Sequence, residues 1–218
     1  MGEIEHIEQV SLVDQAAARI RALMLTGQIA PGTKMREEWL QGLLGISRPP
    51  IREAIQILVH EGLLERLARR GVRAPEFTPR DAWEIYSLRA ALDRYALTNG
   101  MPAEEHLLEP MRAAIVDMKR ASQESDHPGF VAANREFHLA LIALARNNRL
   151  YSTYVSLMNQ MQFFMSINLA REAEQDTAVG VQRHETLLKA IESGDVSQAL
   201  AALDEHGESK FLETLPPE

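Results

Sequence analysis

Cysteine is absent from this chain of 218 residues. Disulfides and thiolate metal ligands are therefore excluded, and any bound metal would be held by nitrogen and oxygen. Long apolar runs are missing too: none approaches the ~18 residues that a membrane-spanning helix needs. The opening residues, MGEIEHIEQV, are acidic and lack a signal peptide's basic start and apolar stretch, so a cytoplasmic location with no membrane partner is expected. Val-, Ile- or Thr-rich alternating runs are few, whereas helix-forming Ala, Leu, Glu, Arg and Gln dominate. The length allows one large domain or two small ones, each with a real core.

Excess positive charge is also lacking, the formal net charge being −8. That value superficially argues against a nucleic-acid partner, but the charges are segregated. Residues 19–74 carry ten Arg or Lys against five Glu, whereas residues 79–218 carry thirteen basic and twenty-one acidic residues. A basic segment joined to an acidic one suits a protein whose first part touches phosphate and whose second does not.

The stretch from Gly42 to Arg66, GLLGISRPPIREAIQILVHEGLLER, is the most informative. Ser47 is placed to cap a helix with its hydroxyl, and Pro49 and Pro50 fall in the first turn, where a missing N–H costs little. Ile51, Ala54, Ile55 and Leu58 form an inward stripe at helical spacing. Arg48, Arg52 and Gln56, four residues apart, lie along the side beside it. A short helix with such side chains near its N-terminus is what a helix-turn-helix places in a major groove. DNA binding is the expectation.

Around it, residues 12–26 read as an amphipathic helix, followed by a turn with a short extended piece at 27–32 and a second helix near 36–44 ending at Gly45. The recognition helix runs to about Glu61, and Leu63–Leu67 and Val72–Ala74 can pair as a hairpin around Arg69, Arg70 and Gly71. Residues 9–76 thus form a winged helix-turn-helix, with Gly71 at the wing tip. Thr78 and Asp81 resemble a capping box with Pro79 in the first helical position, marking a boundary. Residues 79–214 read as an all-α antiparallel bundle, with helices near 79–99, 103–125, 129–146, 149–174, 177–193 and 195–213. The fold class is mainly α.

Polar residues interrupt the apolar faces of that bundle. His138 shares a stripe with Leu141, Ile142 and Ala145; His184 lies between Val181 and Leu188; His206 follows Ala199 and Leu203. Each alone reads most simply as a hydrogen-bonded core histidine. However, His184 and His206 flank the Gly194–Asp195 turn almost symmetrically, so in a helical hairpin they stand at nearly the same height. Asn134 and His138 project from one face of a third helix. The four donors can then converge on a divalent metal inside the bundle. Arg89, beside Ile85, Leu88 and Leu92, is either paired with a helix carboxylate or a snorkelling side chain, or clamps a ligand carboxylate. His6, His60, His106 and His127 have no such arrangement, and Met158, Met161, Phe163, Phe164 and Met165 read mostly as core. Glu172, Glu174 and Asp176 look like a solvated helix end.

Taken together, Ile29–Gly32, Leu44–Arg48, Ile51–Ile55, Glu61–Leu63 and Arg70–Gly71, followed by Leu88–Arg89, Asn134–His138, Asn147, His184 with Ala190–Ile191, and His206, resemble a GntR-family transcriptional regulator. The resemblance is to the FadR subfamily with an FCD effector domain. It implies that Arg48 and Arg52 contact operator DNA, with Ser47, Gln56, Arg36 and Arg70 nearby and Gly71 in the wing. It implies that position 134, His138, His184 and His206 bind a metal, often zinc or nickel, and that Arg89, with Asn147, lies near an effector carboxylate. A homodimer reading a short inverted repeat and answering to small organic acids is implied as well.

Three positions depart from that pattern. Asn134 replaces an aspartate common in relatives, Glu38 stands where some carry a DNA-contacting arginine, and Pro49 replaces a threonine that often supports a phosphate contact. Two rivals are a metal-dependent hydrolase using His138, His184 and His206, and a DNA-binding protein whose bundle only dimerises. The hydrolase lacks an obvious general base, since Glu185 adjoins His184 and should point away.

Overall fold

The computed structural model describes residues 11–68, 71–167 and 177–206, with the side chains of 165–167 excepted. Arg69, Arg70, Glu172, Glu174 and Asp176, the Met165 side chain, and the ends expected for the helices near 149–174 and 195–213 therefore lie outside the described residues. The chain forms two compact units that divide between Glu76 and Phe77.

In the first unit, Ser11 caps α1 (Leu12–Leu25) by accepting from the Asp14 amide. A turn leads to α2 (Glu37–Leu44), which ends at Gly45 in the left-handed region at φ 68°. Next, α3 (Arg48–His60) buries Ile51, Ala54, Ile55 and Leu58, the stripe its spacing predicts. Full burial of such side chains contributes roughly 1.5–3 kcal/mol each for the larger ones. Arg21 of α1 fastens the end of α3 through Glu61 at 2.6 Å.

The wing is smaller than its sequence suggests. Strand β1 is Glu65–Leu67 and β2 is Gly71–Arg73, paired antiparallel with Arg66 opposite Val72. Leu63 and Leu64 do not join β1, because both amides bond the Leu58 carbonyl and both side chains are buried. The extended piece after Gly32 instead pairs with β2: Met35 N–H donates to the Val72 carbonyl at 2.9 Å, and Ala74 N–H to that of Thr33 at 2.9 Å.

The second unit is a helical bundle. α4 (Pro79–Gly100) starts with the complete Thr78–Asp81 capping box. α5 (Glu105–Gln123) and α6 (His127–Ala143) follow, then α7 (Asn148–Ile167), α8 (Thr177–Glu192) and α9 (Val196–Glu205). α6 begins two residues before the expected Gly129, because Asp126 caps it and Pro128 fits its first turn. α4 packs on α6, α7 and α9; α5 packs on α6 and α8; α8 and α9 form the expected hairpin. The shared core includes Leu97, Met111, Phe137, Ile142, Tyr154 and Leu187. Among the described residues no helix is long and apolar enough to cross a membrane.

Candidate nucleic-acid interface and metal centre

Burying one side of α3 leaves Arg48, Arg52 and Gln56 exposed on the other, as their spacing requires. They line a cleft of about 650 Å³ with Arg36 from the N-cap of α2, Arg66 from β1 and Gly71 from the wing. Gly71 has φ 90° and open space where a Cβ would stand, so its glycine serves the turn and permits close approach. Lys34 and Arg66 also line this cleft; helical spacing could not flag them, since they lie on extended chain. Arg66 contacts Gln56 directly.

Ser47 corrects an expectation. It occupies the N-cap of α3 with extended backbone, yet its hydroxyl accepts no capping hydrogen bond. A cap needs an amide at the second or third helical position, and those are Pro49 and Pro50, which have none. The Ser47 hydroxyl therefore stays exposed beside Arg48.

The inward stripe of α4 is Ala82, Ile85, Tyr86, Arg89, Asp93, Ala96 and Leu97; Leu88, expected to adjoin Arg89 inside, is 46 % exposed. A guanidinium and a carboxylate thus sit where apolar residues would be. Arg89 Nε lies 3.5 Å from Asp93 Oδ2, Nη1 lies 3.2 Å from Met161 Sδ, and Nη2 contacts His138 Nε2. The helix-carboxylate pairing weighed for Arg89 is present, and its fork also reaches His138. Asp93 accepts from the Tyr154 hydroxyl at 2.6 Å and places Oδ2 3.4 Å from His138 Nδ1. Burial pushes its carboxyl up to about 6, against the opposing pull of Arg89 and the hydrogen bond from Tyr154. Sequence reading missed Asp93 and Tyr154; the i,i+4 spacing of Arg89 and Asp93 was the available signal.

His138, His184 and His206 converge. One nitrogen from each lies within 4.8 Å of the others, and all three rings are buried. Ring centroids are 5.4 Å apart for His138–His184, 5.3 Å for His138–His206 and 4.2 Å for His184–His206. Burial lowers all three imidazoles: His184 to about 4, His138 and His206 well below the ordinary value. They are neutral near pH 7, the form in which imidazole binds metal. His184 Nδ1 bonds the Gly180 carbonyl at 2.7 Å, which leaves the Nε2 lone pair facing inward. Nε2 of His184 and Nδ1 of His206 are buried with no hydrogen-bond partner. Buried polar atoms are rarely left so, and three neutral nitrogens around one point fit a borderline cation such as zinc.

The other expected residues are placed less centrally. Asn134 lies one turn before His138 on α6 and is half-buried. Asn147 is exposed, and its side-chain oxygen accepts from the amides of Arg149 and Leu150 at 3.1 Å each. It caps α7, a task that occupies its acceptor away from the buried histidines. Glu185 points outward, pairing with Lys119 at 2.6 Å, so it is no general base for the cluster.

Comparison with known proteins agrees with both halves. The FCD domain profile matches residues 84–209, and that of the gntR family of bacterial regulatory proteins matches residues 12–73. The chain belongs to the GntR regulators with an FCD domain. Similar GntR-type proteins include the gluconate operon transcriptional repressor of Bacillus licheniformis, 24% identical over 88% of this chain and 80% of its own length. An HTH-type transcriptional regulator of Agrobacterium vitis is 30% identical over 65% of this chain and 85% of its own. Among solved structures, a GntR crystal structure from Rhodococcus sp. RHA1 has a TM-score of 0.79 at 24% identity, covering 94% of this chain and 99% of its own. Escherichia coli McbR/YncC has a TM-score of 0.76 at 22% identity, covering 95% and 98%. These establish the fold of a winged helix-turn-helix followed by a helical domain. GntR regulators bind operator DNA, and this family membership decides for a DNA-binding transcriptional regulator over a hydrolase.

Proposed function

We propose that this regulator is a homodimeric repressor whose FCD domain binds a divalent metal and a small organic acid. The observation that carries this reading is the meeting of three buried, neutral imidazoles beside the Arg89 guanidinium. His138, His184 and His206 would hold the ion, with Asn134 as a neutral fourth donor; zinc or nickel suits the nitrogen-rich set. The ion supplies a Lewis-acid centre to which a carboxylate oxygen can bind. Asp93, held by Tyr154, stands 3.4 Å from His138 Nδ1 without a hydrogen bond to it, and a small shift on metal binding would let it take the Nδ1–H and orient Nε2 toward the ion. Arg89 now donates to that Nε2; once it is relieved of this bond, its fork is available to an anion. Arg89 and Asp93 are the buried charged side chains among the described residues of this domain. With a dication added, the interior carries net positive charge, which favours an anionic effector.

The gluconate operon repressor among the relatives is consistent with repression and with an organic-acid stimulus. Support for a dimer comes from α4, where Leu88 (46 % exposed) and Tyr95 (48 % exposed) present apolar surface on either side of Leu92, which is half-buried against the core. Two winged domains would then read the halves of a short inverted repeat. An effector can change DNA affinity only by as much as it distinguishes the two arrangements of the protein. The test is metal analysis of the purified protein, followed by thermal shift and operator binding with a panel of small organic acids. One metal per chain, stabilisation by an acid and loss of operator binding are expected. A metal-free protein with no response to chelator or acids refutes the sensing half and leaves a bundle that only dimerises.

A further inference from the structure

The reading helix meets two carboxylates of its own domain. Arg52 donates Nε–H to Glu37 Oε1 at 3.0 Å and Nη2–H to Glu37 Oε2 at 3.1 Å, a two-point contact along one edge of the guanidinium. Arg48 uses the same edge, donating Nε–H to Gln41 Oε1 at 2.9 Å and Nη2–H to Glu38 Oε1 at 3.1 Å. Both arginines remain more than half exposed, at 55 % and 64 % of their side chains. A guanidinium has five N–H groups in a rigid fork. Contact along the Nε/Nη2 edge leaves Nη1 and the second Nη2 hydrogen as an end-on pair on side chains that line the cleft. That end-on pair is the edge that reads O6 and N7 of guanine.

The carboxylates also carry a cost, since a charge in this cleft repels DNA phosphate. Glu37 and Glu38 stand in the first turn of α2, whose other faces hold Leu40 in the core. Acid in a first turn suits the helix dipole, by about 0.3–1 kcal/mol per group, but that preference does not require either carboxylate to face the arginines of α3. The arrangement makes sense if orientation of the arginines is worth more than the repulsion. The pairing acts on the acid as well: the hydrogen bond from Arg52 lowers the Glu37 carboxyl against a smaller opposing effect of burial, so it stays ionised in its buttressing form.

The geometry points to Glu37, with Glu38 and Gln41 beside it, as positioning residues that clamp Arg52 and Arg48 side-on. Their end forks are thereby committed to two guanines in each operator half-site, and sequence discrimination is gained at the expense of general DNA affinity. Glutamine at position 37 is the informative change, because it is isosteric but sets an amide donor against a guanidinium donor.

The test uses the full chain and random-sequence duplex, from which wild type first selects its operator. Wild type, Glu37→Gln, Glu38→Gln and Arg52→Ala are then titrated against the selected duplex, a scrambled duplex, and selected duplexes carrying 7-deazaguanine at single positions. The guanine whose N7 matters to wild type but not to Arg52→Ala is the one read by Arg52. Glu37→Gln is expected to bind scrambled duplex more tightly while its preference for the operator falls about fivefold or more, with a reduced penalty for 7-deaza at that guanine. Glu38→Gln should show the same signs more weakly, since Gln41 still holds Arg48. An equal rise on both duplexes with the full 7-deaza penalty retained would overturn the proposal, leaving Glu37 as a repulsive charge only. So would the absence of any guanine dependent on Arg52. Should Glu37→Gln melt early, Glu38→Gln decides by the same criteria.

Discussion

Replacing Arg89 by Met, similar in length and uncharged, strands Asp93 in the core. Breaking a buried ion pair from one side costs about 3–5 kcal/mol, because the remaining charge has lost its compensation. Asp93 is fully buried and keeps the Tyr154 hydroxyl at 2.6 Å and the neutral His138 ring, with Nδ1 at 3.4 Å, neither of which supplies a compensating charge. The cost should depend on pH in a definite direction. With Arg89 present, the folded carboxyl sits at about 6 against an ordinary 3.8, so the folded state holds its proton more tightly than the unfolded chain. That proton contributes roughly 3 kcal/mol of stability below pH ~4, lost as pH rises through about 6. Without the guanidinium the folded value climbs further. The penalty of Arg89→Met should therefore be small near pH 5, where Asp93 is protonated in either protein. It should then grow by about 1.4 kcal/mol per pH unit above 6, until the variant's own carboxyl ionises. Urea unfolding of both proteins, kept metal-free with chelator, at pH 5, 6.5 and 8 measures this. A penalty that is flat across that range, or under 1 kcal/mol at pH 8, would refute the claim that the pair is a buried charge interaction. Restoration of stability by a second change, Asp93→Leu, would support it.

Three further outcomes are expected. Arg48→Ala should lose about 1–3 kcal/mol of specific operator binding and discriminate less between bases, read by competition gel shift. Asn134→Asp should bind zinc more tightly and anions more weakly, since it adds a negative ligand to the centre; calorimetry showing unchanged or weaker zinc affinity would count against Asn134 as a ligand. Gly100→Ala should destabilise the FCD domain by about 1–3 kcal/mol in denaturant titration, because its Cβ would stand 2.5 Å from the Leu144 backbone, which cannot yield as a side chain can.

Legibility in the sequence followed periodicity. The inward stripe of α3, its outward arginines, the Thr78 capping box and the meeting of His184 with His206 across a hairpin all depend on repeats of 3.6 residues, which sequence displays directly. The polar core of α4 did not, because Leu88 and Leu92 next to Arg89 point to a different inward face from the one that folds. Only tertiary packing turns Asp93 inward to join Tyr154, sixty-one positions away in the chain. Ser47 misled for a local reason: residue type suggested a cap, but a cap requires a donor, and two prolines remove it. Asn147 shows another limit of spacing: one side chain can serve a helix end or a ligand, and sequence displays only its position. Glu37 and Glu38 were visible only as charges, since their edge-on grip on the arginines is a property of side-chain geometry.

The paired prolines at the head of α3 also decide how that helix holds a DNA strand. Free main-chain amides at such an end commonly grasp a backbone oxyanion whatever side chains surround them. With Pro49 and Pro50 in place two such amides are missing, so a hold on the strand at this end would fall to side chains, the exposed Ser47 hydroxyl and the neighbouring cations among them. Contacts of that kind set register and affinity without naming a base, and unlike a peptide N–H each can be removed by a single substitution.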